Sequence, residues 1–151
     1  IMPSLVGSEM CIRDSFYNFE KTKDGGTTWT EVNGDPFDQN MGVAEGLLFF
    51  TNDFGFAGLT YASEDFSMLY VTKDGGETFE RLELPLDTVI ELPSEAEELG
   101  FTIEDYDYHT MPQIVDGKME IYLQTDAMEQ QGIIFQSEDN GVTWEYAGCK
   151  E

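Results

Sequence analysis

The chain has 151 residues, enough for a domain with a real core. Its 31 acidic against 7 basic residues give a formal charge of -24. That balance argues against nucleic-acid partners, whose phosphates are met by Lys and Arg, and against docking on anionic membrane surfaces. At 40% hydrophobic and 13% aromatic the composition is too apolar for a disordered acidic tail. The best apolar run, 43–50, is short and carries Glu45, so no membrane insertion is expected.

At the N-terminus, residues 4–14 read Ser-Leu-Val-Gly-Ser-Glu-Met-Cys-Ile-Arg-Asp. The string resembles one translated frame of the transposon-end adapter used in sequencing libraries. That resemblance implies that residues 1–15 are adapter-derived, foreign to the fold and packed on nothing. It also implies that they stand in place of the parent chain's true N-terminus and any signal peptide. The alternative is an ordinary N-terminal strand half-burying Leu5, Val6, Met10 and Ile12. With Cys11 set aside, Cys149 stands alone, so no intrachain disulfide is proposed. Cys149 has no visible activating base and reads as incidental.

One pattern then recurs along the chain. Residues 22–29 are Thr-Lys-Asp-Gly-Gly-Thr-Thr-Trp, 72–79 are Thr-Lys-Asp-Gly-Gly-Glu-Thr-Phe, and 137–144 are Ser-Glu-Asp-Asn-Gly-Val-Thr-Trp. All fit [ST]-x-D-x-G-x-T-[WF], which by ordinary residue frequencies arises by chance on the order of once in a million sites. The box therefore comprises Thr22, Asp24, Gly26, Thr28 and Trp29, then Thr72, Asp74, Gly76, Thr78 and Phe79, then Ser137, Asp139, Gly141, Thr143 and Trp144. Its chemistry is that of a tight hairpin: the aspartate accepts backbone N–H bonds from a few residues on, and Gly-Gly or Asn-Gly supplies positive φ. Strands are predicted to enter each turn over 16–22, 68–72 and 133–137 and to leave over 27–32, 77–84 and 142–147. The ring closing each box is expected to pack inward on its own sheet.

Between the boxes, 47–51 and 56–61 are predicted to pair through the turn 52–55. Further on, 112–115 and 118–124 are predicted to pair through Asp116-Gly117. The spacing from Asp24 to Asp74 is 50 residues and from Asp74 to Asp139 is 65, so the last repeat carries an insertion, read as 85–109. Within it, Ser94 to Gly100 has an N-cap serine, acids in the first turn and a closing glycine, which predicts a one- to two-turn helix.

The repeated motif resembles the Asp-box, or bacterial neuraminidase repeat, of β-propellers of the sialidase, oligoxyloglucan-hydrolase, sortilin and photosystem-assembly-factor types. The resemblance covers residues 16–151. It implies an all-β fold: a C-terminal fragment of a β-propeller with about two and a half four-stranded antiparallel blades. The expected division is 16–33 as the outer half of a blade, 34–84 as a full blade and 85–151 as a full blade with an inserted loop and short helix. The missing N-terminal blades would belong to the same parent chain, since propellers close with four to eight. The resemblance further implies a structural role for the boxes and an extracellular or cell-envelope location in a bacterium. No metal is expected at the box aspartates, because a calcium loop needs more oxygen ligands than Asp-x-Gly offers, and no cofactor is expected.

In such a blade the first-to-second and third-to-fourth turns share one end, and ligands meet the other. That end is expected to present Asp35, Asp38, Asn40 and the run from Glu104 to His109, with Glu64, Asp65, Asp126 and Glu129 from the second-to-third loops, and the candidate ligand face is Asp65, Tyr106, Asp107, Tyr108, His109 and Asp126. Aromatic rings and carboxylates suit sugars, by stacking and by accepting hydroxyl bonds. A carbohydrate or protein is thus the expected ligand of a non-catalytic scaffold or binding module. The alternative is part of a propeller glycoside hydrolase with catalytic residues mostly upstream. Paired carboxylates such as Asp65 with Asp107 or Asp126 could serve such chemistry, and His109, the one histidine, could act as acid or base. Outside the adapter-like segment Arg81 is the one arginine. It follows a box on an outer strand, so neither a sialidase arginine triad nor the assembly factor's basic patch is expected in these repeats.

Overall fold

A computed structural model describes residues 15–61, 66–125 and 131–150 and, with them, 2–9; for 2–9 and 15 the main chain alone is described. The described residues form antiparallel sheets joined by turns, an all-β fold. They divide into two units, Ile1–Leu82 and Glu83–Glu151.

In the first unit, β1 (Met2–Glu9), β2 (Ser15–Thr22) and β3 (Thr30–Asn33) form one sheet in sequence order. A second sheet follows, also in sequence order, from β4 (Val43–Phe49), β5 (Gly55–Thr60), β6 (Ser67–Thr72) and β7 (Glu80–Arg81). The expectation that residues 1–15 pack on nothing is corrected here: Met2 to Glu9 pairs with β2 from Met2 opposite Thr22 to Glu9 opposite Ser15. The reason lies in the main chain. β2 is covered by β3 over only part of one edge, and an extended neighbour satisfies the row of N–H and C=O groups on the other.

Both faces of β5 and β6 are buried, which is why Gly-Phe-Ala-Gly-Leu-Thr and Ser-Met-Leu-Tyr-Val-Thr read as continuous runs rather than as polar–apolar alternation. Phe37, Ala57, Leu59, Met68 and Tyr70 form the core of this unit. The first sheet packs on it through rings: Phe19 stacks on Phe49 at 5.6 Å and meets Phe79 edge-on at 5.4 Å. Phe37 lies between Tyr17 and Tyr70 at 5.7 and 5.2 Å. Each such pair adds about 0.5–1.5 kcal/mol beyond the area it buries.

In the second unit a 3₁₀ turn at Leu86–Thr88, helix α1 (Ser94–Leu99) and a second 3₁₀ turn at Ile103–Asp105 precede the sheet. The helix begins one residue earlier than expected, with Ser94 its first residue rather than its cap: Pro93 occupies the N-cap and no side chain caps it. Gly100, at φ 80°, ends it as expected. The strands are β8 (Tyr108–His109), β9 (Gln113–Val115), β10 (Lys118–Gln124), β11 (Gly132–Ser137) and β12 (Glu145–Lys150). β8 and β9 lie end to end along one edge of β10, His109 opposite Leu123 and Ile114 opposite Met119. Between them Pro112, which has no N–H to donate, interrupts the ladder. The sheet is thus a four-stranded meander with a broken first strand. The insertion ends before Tyr108 rather than at His109. Asp116 and Gly117, at φ 50° and 81°, make the β9–β10 turn with the paired positive φ of a type I′ hairpin. Among the described residues no helix is long and apolar enough to cross a membrane.

Candidate functional site

The three box turns share one hydrogen-bond network. In the first, Thr22 Oγ1 donates to Asp24 Oδ1 (2.8 Å) and accepts the Gly26 N–H (2.9 Å). Asp24 Oδ1 also takes the Thr28 N–H (2.8 Å), and Oδ2 takes the Thr28 hydroxyl (2.6 Å). The second repeats this with Thr72, Asp74, Gly76 and Thr78 at 2.8, 2.8, 2.9 and 2.5 Å. The third repeats it with Ser137, Asp139, Gly141 and Thr143 at 2.8, 2.7, 2.8 and 2.6 Å. Both carboxylate oxygens of each aspartate are engaged, which explains the motif: [ST] bridges the turn from below, Asp ties its middle, and the second Thr closes it. The bonded carboxylates are favoured in their charged form. The Thr28 hydroxyl and amide bring Asp24 down to about 2, and the Thr143 hydroxyl and amide bring Asp139 down to about 2. At Asp74 burial pushes the carboxyl up, but the bonds from Thr78 and Thr72 together outweigh it and the pKa is lowered.

The closing rings differ. Trp144 is buried and Phe79 half-buried, as expected, but Trp29 is 42% exposed with its indole N–H on Gly26 O at 3.2 Å. Phe79 is covered by Phe19 of the preceding sheet, whereas no described sheet precedes the one that carries Trp29.

At the second and third sheets the turns flanking the box lie beside it. The Gly75 N–H donates to Asp53 O at 2.8 Å, and Lys118 pairs with Glu138 at 2.6 Å. Each raises or lowers the other's pKa in the sense expected of a bonded pair, Lys118 up and Glu138 down. Tyr108 and His109 are half-buried and lie at the other end of the third sheet, opposite Gln124 and Leu123. Asp107 beside them is half-buried. Tyr106 is only 2% exposed, so its expected place on a ligand face is corrected: so large a ring gains more from burial than a rim position offers. Asp65 and Asp126, with Glu64 and Glu129, lie outside the described residues.

Asp35, Asp38 and Asn40 do come together, and with a residue that the sequence reading set aside. They line a cleft of about 660 Å³ in the first unit with Asn33, Tyr70, Phe79 and Arg81. The loop that carries them is tightly built. Phe37 anchors it in the core; the Gln39 N–H bonds Asp35 Oδ1 (2.8 Å), and Asn40 Nδ2 bonds Phe37 O and the Tyr70 hydroxyl, both at 2.9 Å. Burial raises the Tyr70 pKa, so its hydroxyl stays protonated and donates to Phe37 O at 3.2 Å. Asp38 and Gln39 are consecutive non-glycine residues at φ 50° and 62°, a conformation of about 1–3 kcal/mol each that persists only where its surroundings impose it.

In the second unit Glu120, 5% exposed, accepts bonds from Tyr122 (2.8 Å) and Gln136 (2.5 Å). The bond to this carboxylate is the leading cause that raises the Tyr122 pKa. Such a doubly bonded carboxylate fastens strands β10 and β11 rather than waiting for substrate. Cys149 Sγ lies 3.2 Å from Glu91 O, which also receives the Tyr146 hydroxyl at 3.2 Å. Burial and the neighbouring thiol push Tyr146 up to about 12. Among the described residues no three His, Cys, Asp or Glu side chains gather as a metal site. No family model, curated protein or solved structure matches the chain.

Proposed function

We propose that the chain is part of an Asp-box β-propeller and acts as a non-catalytic binding module for a glycan or protein ligand, outside the cytoplasm. One observation carries the reading: the side-chain set that recurs in the three described sheets, centred on Asp24, Asp74 and Asp139, spends both carboxylate oxygens inside its own turn. Repetition therefore serves the frame, and the residues that differ between repeats, such as those of the 33–40 connection, are left to recognise a ligand. A sheet end or cleft on a rigid frame is where such recognition is usually built. The test is to incubate the chain with soluble oligosaccharides, following retention on the immobilised protein and release of new reducing ends together. Retention without release is the expected result. New reducing ends that scale with protein concentration would overturn the non-catalytic reading.

A further inference from the structure

We infer that the cleft between the 33–40 connection and β7 is a site for a neutral oligosaccharide, an assignment that rests on the binding-module reading and names its ligand class. The cleft is an open groove of about 660 Å³, the form that suits a chain of sugars lying along a surface. Its groups are complementary to a polyol. Arg81 is exposed, and among the described residues its guanidinium makes no hydrogen bond or ion pair and lies over the Phe66 ring, 6.0 Å from its centre. Asp35 and Asp38, also exposed, line the same cleft; Asp35 Oδ1 is held by Gln39, while Asp35 Oδ2 and both Asp38 oxygens accept nothing among the described residues. A sugar hydroxyl both donates and accepts, so it satisfies the carboxylates and the guanidinium at once. Phe79, half-buried, adds apolar atoms to the lining.

Charge selects the class. Asp35, Asp38, Glu77 and Glu80 surround the single Arg81, so an anionic sugar meets net repulsion and a neutral one does not. The site is also particular to this repeat. Sheet register places Arg81 opposite Tyr70, Glu31 opposite Glu20 and Tyr146 opposite Phe135, so the outer-strand position that carries the guanidinium here carries a different residue in each other sheet. The 35–40 loop is braced internally by Asn40 on Phe37 O and tied to the core through the Asn40–Tyr70 bond and the Phe37 ring, so the acidic side is positioned at low cost before binding.

Calorimetric titration of the chain with cellotetraose, mannotetraose, xylotetraose and tetragalacturonate tests this, alongside Arg81→Ala, Arg81→Lys, Asp38→Asn and, as a control in the other unit, Glu145→Gln. The expected result is binding of at least one neutral tetrasaccharide, weakened about tenfold or more by Arg81→Ala and by Asp38→Asn, less by Arg81→Lys, and unchanged by Glu145→Gln. Thermal melts that match wild type confirm that the exposed-site variants fold. Neutral-sugar binding that none of the cleft variants weakens overturns the cleft assignment and leaves the binding-module reading standing. Binding of tetragalacturonate alone overturns the neutral class. Binding of no sugar overturns the inference together with the glycan branch of the proposed function.

Discussion

The ring of Phe19 fills the space that a side chain at Gly76 would need: a Cβ at Gly76 would stand 2.0 Å from Phe19 Cε1. The second box turn is therefore a packing surface for the first sheet as well as a hairpin, and its glycine is required twice, for φ 94° and for this approach.

Gly76→Ala is expected to destabilise the chain by about 3 kcal/mol, combining overpacking against a buried ring with the left-handed backbone. Gly25 is the contrast. A Cβ there meets nothing within 4 Å, and the equivalent place in the third box holds Asn140 at φ 60°. Gly25→Asn should stay within about 0.5 kcal/mol of wild type. Urea unfolding of both variants checks the pair, and equal losses would show that the Phe19 approach contributes nothing.

Asp74→Ala removes the acceptor for the Thr72 and Thr78 hydroxyls and the Thr78 amide. The expected loss is about 1–2 kcal/mol, with the affinity for any ligand of the 33–40 cleft unchanged. Asp74→Asn should recover part of it, because its Oδ1 can still accept the Thr72 hydroxyl and the Thr78 amide while its Nδ2–H donates to the Thr78 hydroxyl, and what is lost is the charge assistance of those bonds. An Asp74→Ala urea midpoint equal to wild type would rule out the structural role of this carboxylate.

Those turns were legible in the sequence because their chemistry is local: every bond of the network falls within four residues, as from Asp24 to Thr28. The strands beside them followed from the turns, and Asp116-Gly117 announced its own hairpin. What the sequence could not carry was set by distant neighbours. Trp29 and Phe79 occupy the same box position, yet only Phe79 has a Phe19 to cover it. Tyr106 read as a rim aromatic because its neighbours are acids, and it is buried. Arg81 looked misplaced on an outer strand. Its meeting with Asp35 and Asp38 depends on how a separate connection folds back on β7, which no spacing rule records. For Met2–Glu9 the composition said little, since main-chain pairing asks only for an extended neighbour.

The box carboxylates also predict a particular acid response. Asp24 and Asp139 sit at about 2 in the folded chain, below the roughly 3.9 of an unfolded aspartate. A depressed folded pKa contributes stability that is complete above the unfolded value and fades as pH falls through the folded one. The chain's many acids also relieve mutual repulsion on protonation, so the absolute stability mixes two opposite trends. Comparison with Asp139→Ala separates them. The gap in urea midpoint between wild type and variant should be constant above about pH 5 and shrink steadily toward pH 2. A gap that holds its size down to pH 2 would show that the ionised carboxylate is not what the turn uses.

Tyr70 joins the core to the cleft. Its hydroxyl accepts the Asn40 amide at 2.9 Å and donates to Phe37 O at 3.2 Å, while its ring packs edge-on against Phe37. Tyr70→Phe keeps the ring and deletes both bonds, at an expected loss of about 1–2 kcal/mol. The local effect should exceed the global one. The Phe37 ring still anchors the loop in the core and Asn40 still bonds Phe37 O within it, but the loop loses its tie to the Tyr70 hydroxyl. Asp38 and Gln39 would then be freer to leave the positive φ that the fastening imposes. Hydrogen exchange resolved to single amides should therefore speed up at Gln39 and Asn40 by more than the change in global stability accounts for, with the β5–β6 amides following the global change alone. Uniform acceleration across loop and sheet would mean that the hydroxyl stabilises the core in general and does not hold the cleft in shape.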